Sequence, residues 1–483
     1  MSPFVPPYPP RLKSPPSGLQ RLMLARENLL AMWEEEAFEL EFSRSRLFLR
    51  ETVLCNSPAS VQFALSQHNA SFERKSPQMR NALAPLLGDG LFISDGETWK
   101  TRRRMVAPIV HVSRMSVFAP RMVEAATELR ESWLAREGQT LDALAESAHL
   151  AAEVICRCLF GRALGHDFAR QIVEGFSAYQ REIDRLDVLS LLGVPDWVPR
   201  RQGRPVLEAV ARIHAVLDEV VESHRRRADA GEDSVIGRLI DARDPETGAP
   251  LGREALRNEI AVLFMAGHET TANTMAWVWY LLSQAPDVEA RLHAEIDTVL
   301  AGRPATLADM PKLVYTRAIL DETMRLYPPV PILPREALRD ERFEGHAISK
   351  GAIVLVVPWL LHRHRKLWDD PDAFIPERFL GERGDRISKF AYLPFSVGPR
   401  VCAGMAFGMT EAVLGIATLV QAVQLRLAPG TEVKPVCRLT LRPENGLPMV
   451  VHRRGEWRGG AATNDDAAGI VSGPPPGCPF HHG

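Results

Sequence analysis

Helical periodicity dominates the hydrophobic pattern of this chain. Apolar residues recur at helical spacing over residues 19–40, over about 122–161 and over about 205–230. The same pattern runs without a proline from Glu254 to Ala285. A helix of that length would measure about 48 Å, at about 1.5 Å per residue, which is enough to cross a whole domain. The pattern therefore predicts a central, buried helix.

Shorter segments between these helices have the composition of strands. Residues 47–56, 352–359 and 439–443 are apolar and β-prone, and a serine followed by a proline opens a predicted helix over 57–67. The apolar segment 406–423 predicts a further buried helix. The expected fold class is therefore mainly α with a minor β region.

The composition favours one large domain between two irregular ends. Of the 483 residues, 46% are hydrophobic and 24% charged, which is typical of a globular protein. No repeat or linker interrupts residues 19–452, so we predict a single domain there. The proline-rich lead, 1–18, is expected to be extended, either free or against the domain. The tail, 453–483, is rich in Gly, Ala, Asp and Pro and is expected to be disordered.

Charge and hydropathy limit the partners. A formal net charge of −2 gives no reason to expect a nucleic-acid partner. The N-terminal residues lack the features of a secretion signal, and no segment reaches the roughly 18 apolar residues of a bilayer span. We therefore expect a cytoplasmic protein without a membrane anchor, and a monomer.

One of the six cysteines has an unusual setting. Cys156 and Cys158 lie two residues apart, which on a helix places them on different faces, so buried thiols are favoured over a metal-binding pair. Cys402 differs from them because glycines and an arginine surround it. The segment 395–404 carries Phe395, Gly398, Arg400, Cys402 and Gly404.

This segment predicts a turn that delivers Cys402 to the start of the helix predicted at 406–423. Free backbone amides and the helix dipole at such a position favour a thiolate over a thiol. Gly398 and Gly404 permit a tight turn and a close approach of the backbone to a flat ligand. Taken alone, the segment is also compatible with a buried structural cysteine beside a glycine turn.

The segment matches, at every fixed position, the haem-binding signature Phe-x-x-Gly-x-Arg-x-Cys-x-Gly, and the chain here resembles the cytochromes P450. The resemblance implies a P450 fold with the long helix over the haem. It also implies haem b as the cofactor and Cys402 as the axial ligand of its iron. In this family the electron-rich thiolate promotes O–O cleavage.

A second motif lies within the predicted long helix. Ala266 and Gly267 would let dioxygen or a planar group approach the helix backbone, and a mid-helix glycine, at a cost of about 1 kcal/mol, needs such a reason. Glu269 and Thr270 supply an acid and an alcohol side by side, which suits proton delivery without bulk water. Alone, a helix kink with a surface glutamate explains the motif equally well. The resemblance implies the oxygen-activating motif, with Thr270 as its threonine and Glu269 as its acid.

Further matches concern charged residues. Glu322 and Arg325 share a helix face, and the resemblance implies a buried ion network with Arg378 that stabilises the cysteine region without a part in catalysis. The resemblance also implies that basic side chains hold the two haem propionates. The matching positions are Arg103, Arg335 and Arg400. Trp99, four residues before Arg103, is also expected at the cofactor. A solvated basic helix is the alternative for Arg103, and its charged neighbours could instead face an acidic electron donor.

The predicted substrate pocket is mostly apolar. By family position its walls are Leu87, Leu91, Val262, Leu263, Ile332, Leu333, Leu439 and Thr440. Such walls favour a hydrophobic small molecule, for example a fatty acid, an alkyl chain or a terpenoid-like compound.

Three functions remain open at this point. The first is an O2-activating monooxygenase that hydroxylates or epoxidises its substrate. Because the chain has no flavin, dinucleotide or iron–sulfur motif, electrons would come from an external ferredoxin or flavodoxin and an NAD(P)H reductase. The alternatives are a peroxygenase driven by H2O2, which the acid–alcohol pair disfavours, and a non-catalytic haem sensor or carrier.

Overall fold

The computed structural model describes residues 3–47, 49–161, 202–226 and 233–455, together with 171, 174–176, 178, 179 and 194. Of the protein, 55% is helical, with a minor sheet component, and the predicted fold class is confirmed. The first helices are α1 (Gly18–Glu27), α2 (Pro58–Gln62), α3 (Asn69–Phe72), α4 (Pro77–Leu87), α5 (Gly96–Val106), α6 (Met115–Leu134) and α7 (Ala143–Phe160). The later ones are α8 (Arg204–Arg226), α9 (Val235–Asp241), α10 (Arg253–Gln284), α11 (Pro286–Leu300), α12 (Val314–Leu326), α13 (Pro358–Leu361), α14 (Gly381–Asp385) and α15 (Met405–Leu419).

The strands of the described residues form small sheets. They are β1 (Phe42–Leu47), β2 (Arg50–Cys55), β3 (Thr140–Asp142), β4 (Leu333–Glu336), β5 (Glu341–Phe343), β6 (His346–Ile348), β7 (Ile353–Val356), β8 (Val423–Leu427), β9 (Pro435–Cys437), β10 (Leu441–Pro443) and β11 (Pro448–Arg453). The largest sheet has the order β1-β2-β7-β4, with β2 parallel to β7 and the other pairs antiparallel. The strand β4 carries Arg335, and the hairpin β9–β10 carries Leu439 and Thr440 in its connection.

The predicted long helix is confirmed as α10, which has 32 residues. Trp277 and Trp279 lie on different faces of it, yet neither is more than 1% exposed. This part of the helix is therefore surrounded by protein, which is why its apolar residues do not form one stripe. It ends at Gln284 because Pro286 begins the next helix at a position where a proline N–H is not needed.

Two of the predicted helices are shorter than the pattern indicated. The helix predicted over 19–40 ends at Glu27, where the side chain of Asn28 binds the distant strand β9. Its Oδ1 accepts from the N–H of Cys437 at 3.0 Å, and its Nδ2 donates to the carbonyl of Pro435 at 2.9 Å. The helical stretch predicted over 122–161 is divided into α6 and α7. Between them Gly138 adopts a φ of 75° and the strand β3 forms.

The proline-rich lead lies against the domain over its described part. The backbone N–H of Phe374 donates to the carbonyl of Phe4, and the hydroxyl of Tyr327 donates to the carbonyl of Pro7. The predicted disordered tail lies outside the described residues from 456 onward. Among the described helices, none combines the length and the apolar character that crossing a bilayer requires. Cys156 and Cys158 are both buried thiols, in agreement with the sequence interpretation.

Candidate functional site

The segment around Cys402 turns sharply before α15. Gly398 has a φ of 76°, and a Cβ there would lie 2.0 Å from the carbonyl oxygen of Leu65, so only glycine fits. The N–H of Cys402 donates to the carbonyl oxygen of Phe395 at 2.9 Å. Because α15 begins at Met405, the cysteine lies at a helix start, as the sequence predicted.

The thiol of Cys402 has accessible surface, although protein surrounds it. Burial raises the pKa of this thiol, whereas the backbone N–H of Gly404 and the cations Arg103 and Lys75 act in the opposite direction. A Cβ at Gly404 would lie 3.9 Å from the sulfur, which is ordinary contact. An iron ion on the sulfur would hold it as a thiolate outright.

Basic side chains gather beside Cys402. Arg103 donates to the carbonyl of Val401 at 2.9 Å, and the guanidinium of Arg400 lies 4.6 Å from the ring centroid of Trp99. Arg335 on β4 faces Lys75 through an isolated antiparallel bridge. Lys75 and Arg335 are buried, with 7% and 1% of their surface exposed. Three of the predicted basic residues are thus brought together, with one more that the sequence did not indicate.

The buried members of this cluster lack an anion. Neither Lys75 nor Arg335 forms an ion pair with a carboxylate in the part of the chain that the structure describes. Burial, and then the charge of neighbouring arginines, lowers the pKa of Lys75 and lowers that of Arg335 to about 9. An uncompensated buried cation is strongly unfavourable. The cluster therefore fits a flat cofactor that carries two carboxylates, and haem propionates satisfy this requirement.

No local signal identified Lys75. It follows Glu73 and Arg74 in a charged run before Ser76, which caps α4, and such a run is normally a solvated surface. Its burial arises from strand β4 and from the ring of Phe92, 4.7 Å from its ammonium nitrogen.

The Ala-Gly pair on α10 has two different environments. Ala266 is exposed while the neighbouring Met265 is buried, so an open space adjoins the helix at this turn. A Cβ at Gly267 would instead lie 3.0 Å from Cδ1 of Ile155 on α7. Gly267 thus permits the close packing of α7 on α10. That Gly267 also lies at the cofactor stays a prediction.

The acid–alcohol pair is held by hydrogen bonds. The hydroxyl of Thr270 donates to the carbonyl of Ala266 at 2.7 Å. The hydroxyl of Thr440 donates to Oε1 of Glu269 at 2.6 Å, and Nδ2 of Asn273 donates to the Thr440 oxygen at 3.2 Å. Thr440, predicted as a wall of the pocket, is thus also a partner of the acid. Asn273, one helical turn after Glu269, was missed because its partner lies far away in the sequence.

Contacts between α10 and α15 join this pair to the cysteine segment. A Cβ at Gly408, six residues after Cys402, would lie 3.8 Å from Oγ1 of Thr271. Thr271 follows Thr270 directly. The two motifs, 131 residues apart between Thr271 and Cys402, therefore meet in one region of the fold.

The predicted ion network is present and buried. Arg325 and Glu322 are 0% exposed and form two hydrogen bonds, of 2.6 and 2.8 Å. Arg325 also donates to the carbonyls of His362, Pro371 and Ala373. Nε of Arg378 lies 3.5 Å from Oε1 of Glu322. The network fastens α12 to the segment 362–378 that precedes the cysteine turn.

The predicted pocket residues are buried or partly buried. Leu87, Leu91, Val262, Leu333 and Thr440 are buried, whereas Leu263, Ile332 and Leu439 are partly buried against the core. The structure brings the loop of Leu91 onto α10 beside Val262, since a Cβ at Gly90 would lie 2.7 Å from Cγ2 of Val262. It brings Thr440 onto α10 beside Glu269.

Comparison with known proteins agrees with this geometry. The crystal structure of the cytochrome P450DA haem domain matches with a TM-score of 0.78 and 26% identity, covering 93% of this chain and 98% of that chain. Cyclooctatin synthase of Streptomyces melanosporofaciens is 33% identical, over 82% of this chain and 85% of the relative. Cyclooctat-9-en-7-ol 5-monooxygenase of the same organism is 34% identical, over 72% and 74%. Pentalenene oxygenase of Streptomyces avermitilis is 28% identical, over 74% and 78%.

The solved structures that share this fold are haem domains of cytochromes P450, a family with a haem-thiolate cofactor. The family model for cytochrome P450 matches residues 25–449, and the chain belongs to the cytochrome P450 family. It is a P450 monooxygenase, which works on O2 with redox partners and a hydrophobic substrate. These parts of the sequence interpretation are confirmed.

Proposed function

We propose that Cys402 is the axial ligand of a haem b iron and that Lys75, Arg103, Arg335 and Arg400 hold the propionates. The observation that carries this proposal is the buried, anion-free cation cluster beside a cysteine at a helix start. Trp99 supports the cluster because its ring stacks under Arg400. When bound, the haem supplies O2 activation and oxidation of a C–H or C=C bond.

In this proposal, Thr270 and Glu269 deliver protons to the oxygen site. The hydroxyl of Thr270 donates to the carbonyl of Ala266, at the turn of α10 that adjoins open space. Glu269 accepts a hydrogen bond from the hydroxyl of Thr440, and Asn273 orients that hydroxyl by donating to its oxygen. These polar groups would supply protons at this turn of α10 without opening the apolar surroundings to bulk water.

The proposed substrate is a terpenoid-like hydrophobic molecule, which is hydroxylated or epoxidised. Two relatives bear names for the oxygenation of terpenoids, cyclooctat-9-en-7-ol and pentalenene. The predicted pocket residues are apolar apart from Thr440, which suits such a molecule. Electrons are proposed to come from a separate ferredoxin or flavodoxin and its NAD(P)H reductase, because the sequence carries no motif for a second redox cofactor.

Turnover with alternative oxidants tests this function. The haem-loaded protein is offered cyclic terpenes and fatty acids, first with NAD(P)H, ferredoxin and reductase under 18O2, and then with H2O2 alone. We expect a product that carries one 18O atom in the first arm. Turnover only with H2O2 would establish the peroxygenase instead, and no product in either arm, with a spectrum that no compound changes, would favour the sensor or carrier.

Replacement of Thr270 by alanine should uncouple electron consumption from product formation. Without the hydroxyl, the proton supply at this turn of α10 is incomplete, and general acid–base groups contribute about 10²-fold or more. We expect product per NAD(P)H to fall at least about tenfold, with a matching rise in H2O2. Thr270→Ser keeps the hydroxyl and serves as the control, and full coupling in Thr270→Ala would remove Thr270 from the relay.

Replacement of Lys75 by methionine should weaken haem binding. The loss of one charge-assisted hydrogen bond costs about 1.5–3 kcal/mol, or roughly 10- to 100-fold in affinity. The haem-free protein should be unchanged or more stable, since repulsion from Arg335 is removed. Haem transfer to apomyoglobin and thermal unfolding of the apoprotein measure the two effects. Lys350→Met, at an exposed position, is the control; equal haem affinity in both variants would contradict the assignment.

A further inference from the structure

Glu259 is a buried acid on α10 that the chemistry proposed above does not use. It lies ten residues before Glu269, nearly three helical turns away. Its side chain has 0% exposed surface. Because a buried carboxylate is rarely tolerated without partners, its contacts indicate its role.

The partners of Glu259 belong to the loop between α4 and α5. Its two carboxylate oxygens accept from the backbone N–H of Leu91, at 3.0 and 3.2 Å. Its Oε1 also lies 3.4 Å from Nε of Arg102 on α5. Arg102 pairs in turn with Asp89 at 2.9 Å, and Nδ2 of Asn258 donates to Asp89 at 3.2 Å. The loop is thus bonded to α10 at the adjacent residues Asn258 and Glu259, and to α5 at Arg102.

The loop backbone lies directly on α10 at these fastenings. A Cβ at Gly88, whose φ is 52°, would lie 2.1 Å from Nδ2 of Asn258. A Cβ at Gly90 would lie 2.7 Å from Cγ2 of Val262 and 3.3 Å from the carbonyl oxygen of Asn258. Only glycine allows this approach at both positions. The contact brings Leu91 and Val262, two predicted walls of the substrate pocket, to the same place.

The hydrogen bond to Leu91 is the essential part of this arrangement. Asp89 is 56% exposed, so its ion pair with Arg102 contributes little. Burial raises the pKa of Glu259 to about 8, while Arg102 and the Leu91 amide oppose this shift. The acid is therefore mostly protonated at neutral pH. A protonated carboxyl still accepts from a backbone N–H through its carbonyl oxygen, whereas it no longer forms an ion pair with Arg102.

We propose that Glu259 is a positioning residue that holds the loop 88–92 against α10 and thereby sets the shape of the substrate pocket. Leu91 would otherwise be free to move away from Val262, because the glycines beside it impose no conformation of their own. The consequence for substrate selection rests on the proposed function. The fastening of the loop itself does not.

Hydrogen–deuterium exchange tests the fastening directly. The full chain is compared as wild type, Glu259→Leu and Glu259→Gln, where leucine removes the acceptor and glutamine keeps it. We expect the amide of Leu91 to exchange at least about tenfold faster in Glu259→Leu and within about threefold of wild type in Glu259→Gln. Glu254→Leu, exposed on the first turn of the same helix, is the matched control.

Two results would overturn the proposal. One is an unchanged Leu91 exchange rate in Glu259→Leu; the other is a Glu259→Gln variant as fast as Glu259→Leu, since charge and not hydrogen bonding would then be responsible. If Glu259→Leu does not fold, Gly90→Ala takes its place, because its methyl group must displace the loop from Val262. Unchanged exchange over 88–92 in Gly90→Ala contradicts the proposal equally.

A second readout addresses the pocket in haem-loaded protein. Imidazole and 4-phenylimidazole bind haem iron, and their dissociation constants are measured from the absorption spectrum. The ratio of the two dissociation constants measures how well the pocket walls accommodate the phenyl group. We expect that ratio to change at least about fivefold in Glu259→Leu and less than twofold in Glu259→Gln and Glu254→Leu. Suppose that Leu91 exchanges faster in Glu259→Leu while the ratio of dissociation constants is unchanged. Glu259 would then hold the loop without shaping the pocket, and the part of the proposal that concerns the pocket would be overturned. If wild type binds no haem, the proposed function fails while the exchange result still decides the fastening.

Discussion

Cys402→Ser should lose the red-shifted CO band of a thiolate-ligated haem, and its monooxygenase activity should fall to background. A serine hydroxyl does not supply the electron-rich sulfur that promotes O–O cleavage. The exchange of sulfur for a smaller oxygen adds no atom to the site and therefore no steric conflict. The fold should therefore survive, and circular dichroism together with the ferrous-CO spectrum separates loss of ligation from loss of structure.

A second cysteine variant controls for the loss of a thiol as such. Cys437, on strand β9, is a buried cysteine outside the predicted haem signature. Cys437→Ala should keep the red-shifted band and the activity. Normal turnover in Cys402→Ser would remove Cys402 from the role of iron ligand.

Arg325→Ala should cause the largest loss of stability among these variants. Arg325 is fully buried, and its removal takes away both short hydrogen bonds to the buried Glu322, which keeps only Arg378 at 3.5 Å. It also leaves three carbonyls without their donor. Breaking such a buried pair costs about 3–5 kcal/mol. A typical domain has only about 5–15 kcal/mol of stability in total. We expect most of the variant to be insoluble or haem-free at 37 °C, and its soluble part to unfold at much lower denaturant concentration.

The matched control is an exposed pair of the same chemistry. Arg386 and Glu382 lie one helical turn apart with side chains 79% and 86% exposed, so Arg386→Ala should change stability by less than about 1 kcal/mol. Glu322→Gln should fall between the two, because glutamine can still accept from the N–H of Ile375, which donates to Glu322 at 2.8 Å. Equal unfolding midpoints for Arg325→Ala and Arg386→Ala would show that the network has no structural role.

The sequence predicted those features that depend on local pattern. The proline-free helical pattern from Glu254 to Ala285 predicted the long helix within one residue at each end, because its length and the following proline are both visible in the sequence. The turn at Cys402 was predictable because Gly398 is required by backbone geometry as well as by the haem signature.

The failures have a common physical cause, which is a partner distant in the sequence. Asn28 ends α1 because Pro435 and Cys437 bond its amide. The packing of Gly267 against Ile155 on α7 likewise depends on a residue far away in the sequence. No local pattern marks Lys75 or Glu259, since their burial depends on β4 and on the loop of Leu91. Helical periodicity shows that a helix face is buried, but it does not show which element of the fold packs against that face.

The ferrous-CO difference spectrum of the purified wild-type protein tests the central claim most directly. If Cys402 holds the iron of a haem b, the dithionite-reduced protein with CO will show the red-shifted band typical of a thiolate ligand, and the pyridine haemochrome will be that of haem b. A band at the unshifted position of histidine-ligated haem, or a preparation that takes up no haem when it is supplied, would contradict the account.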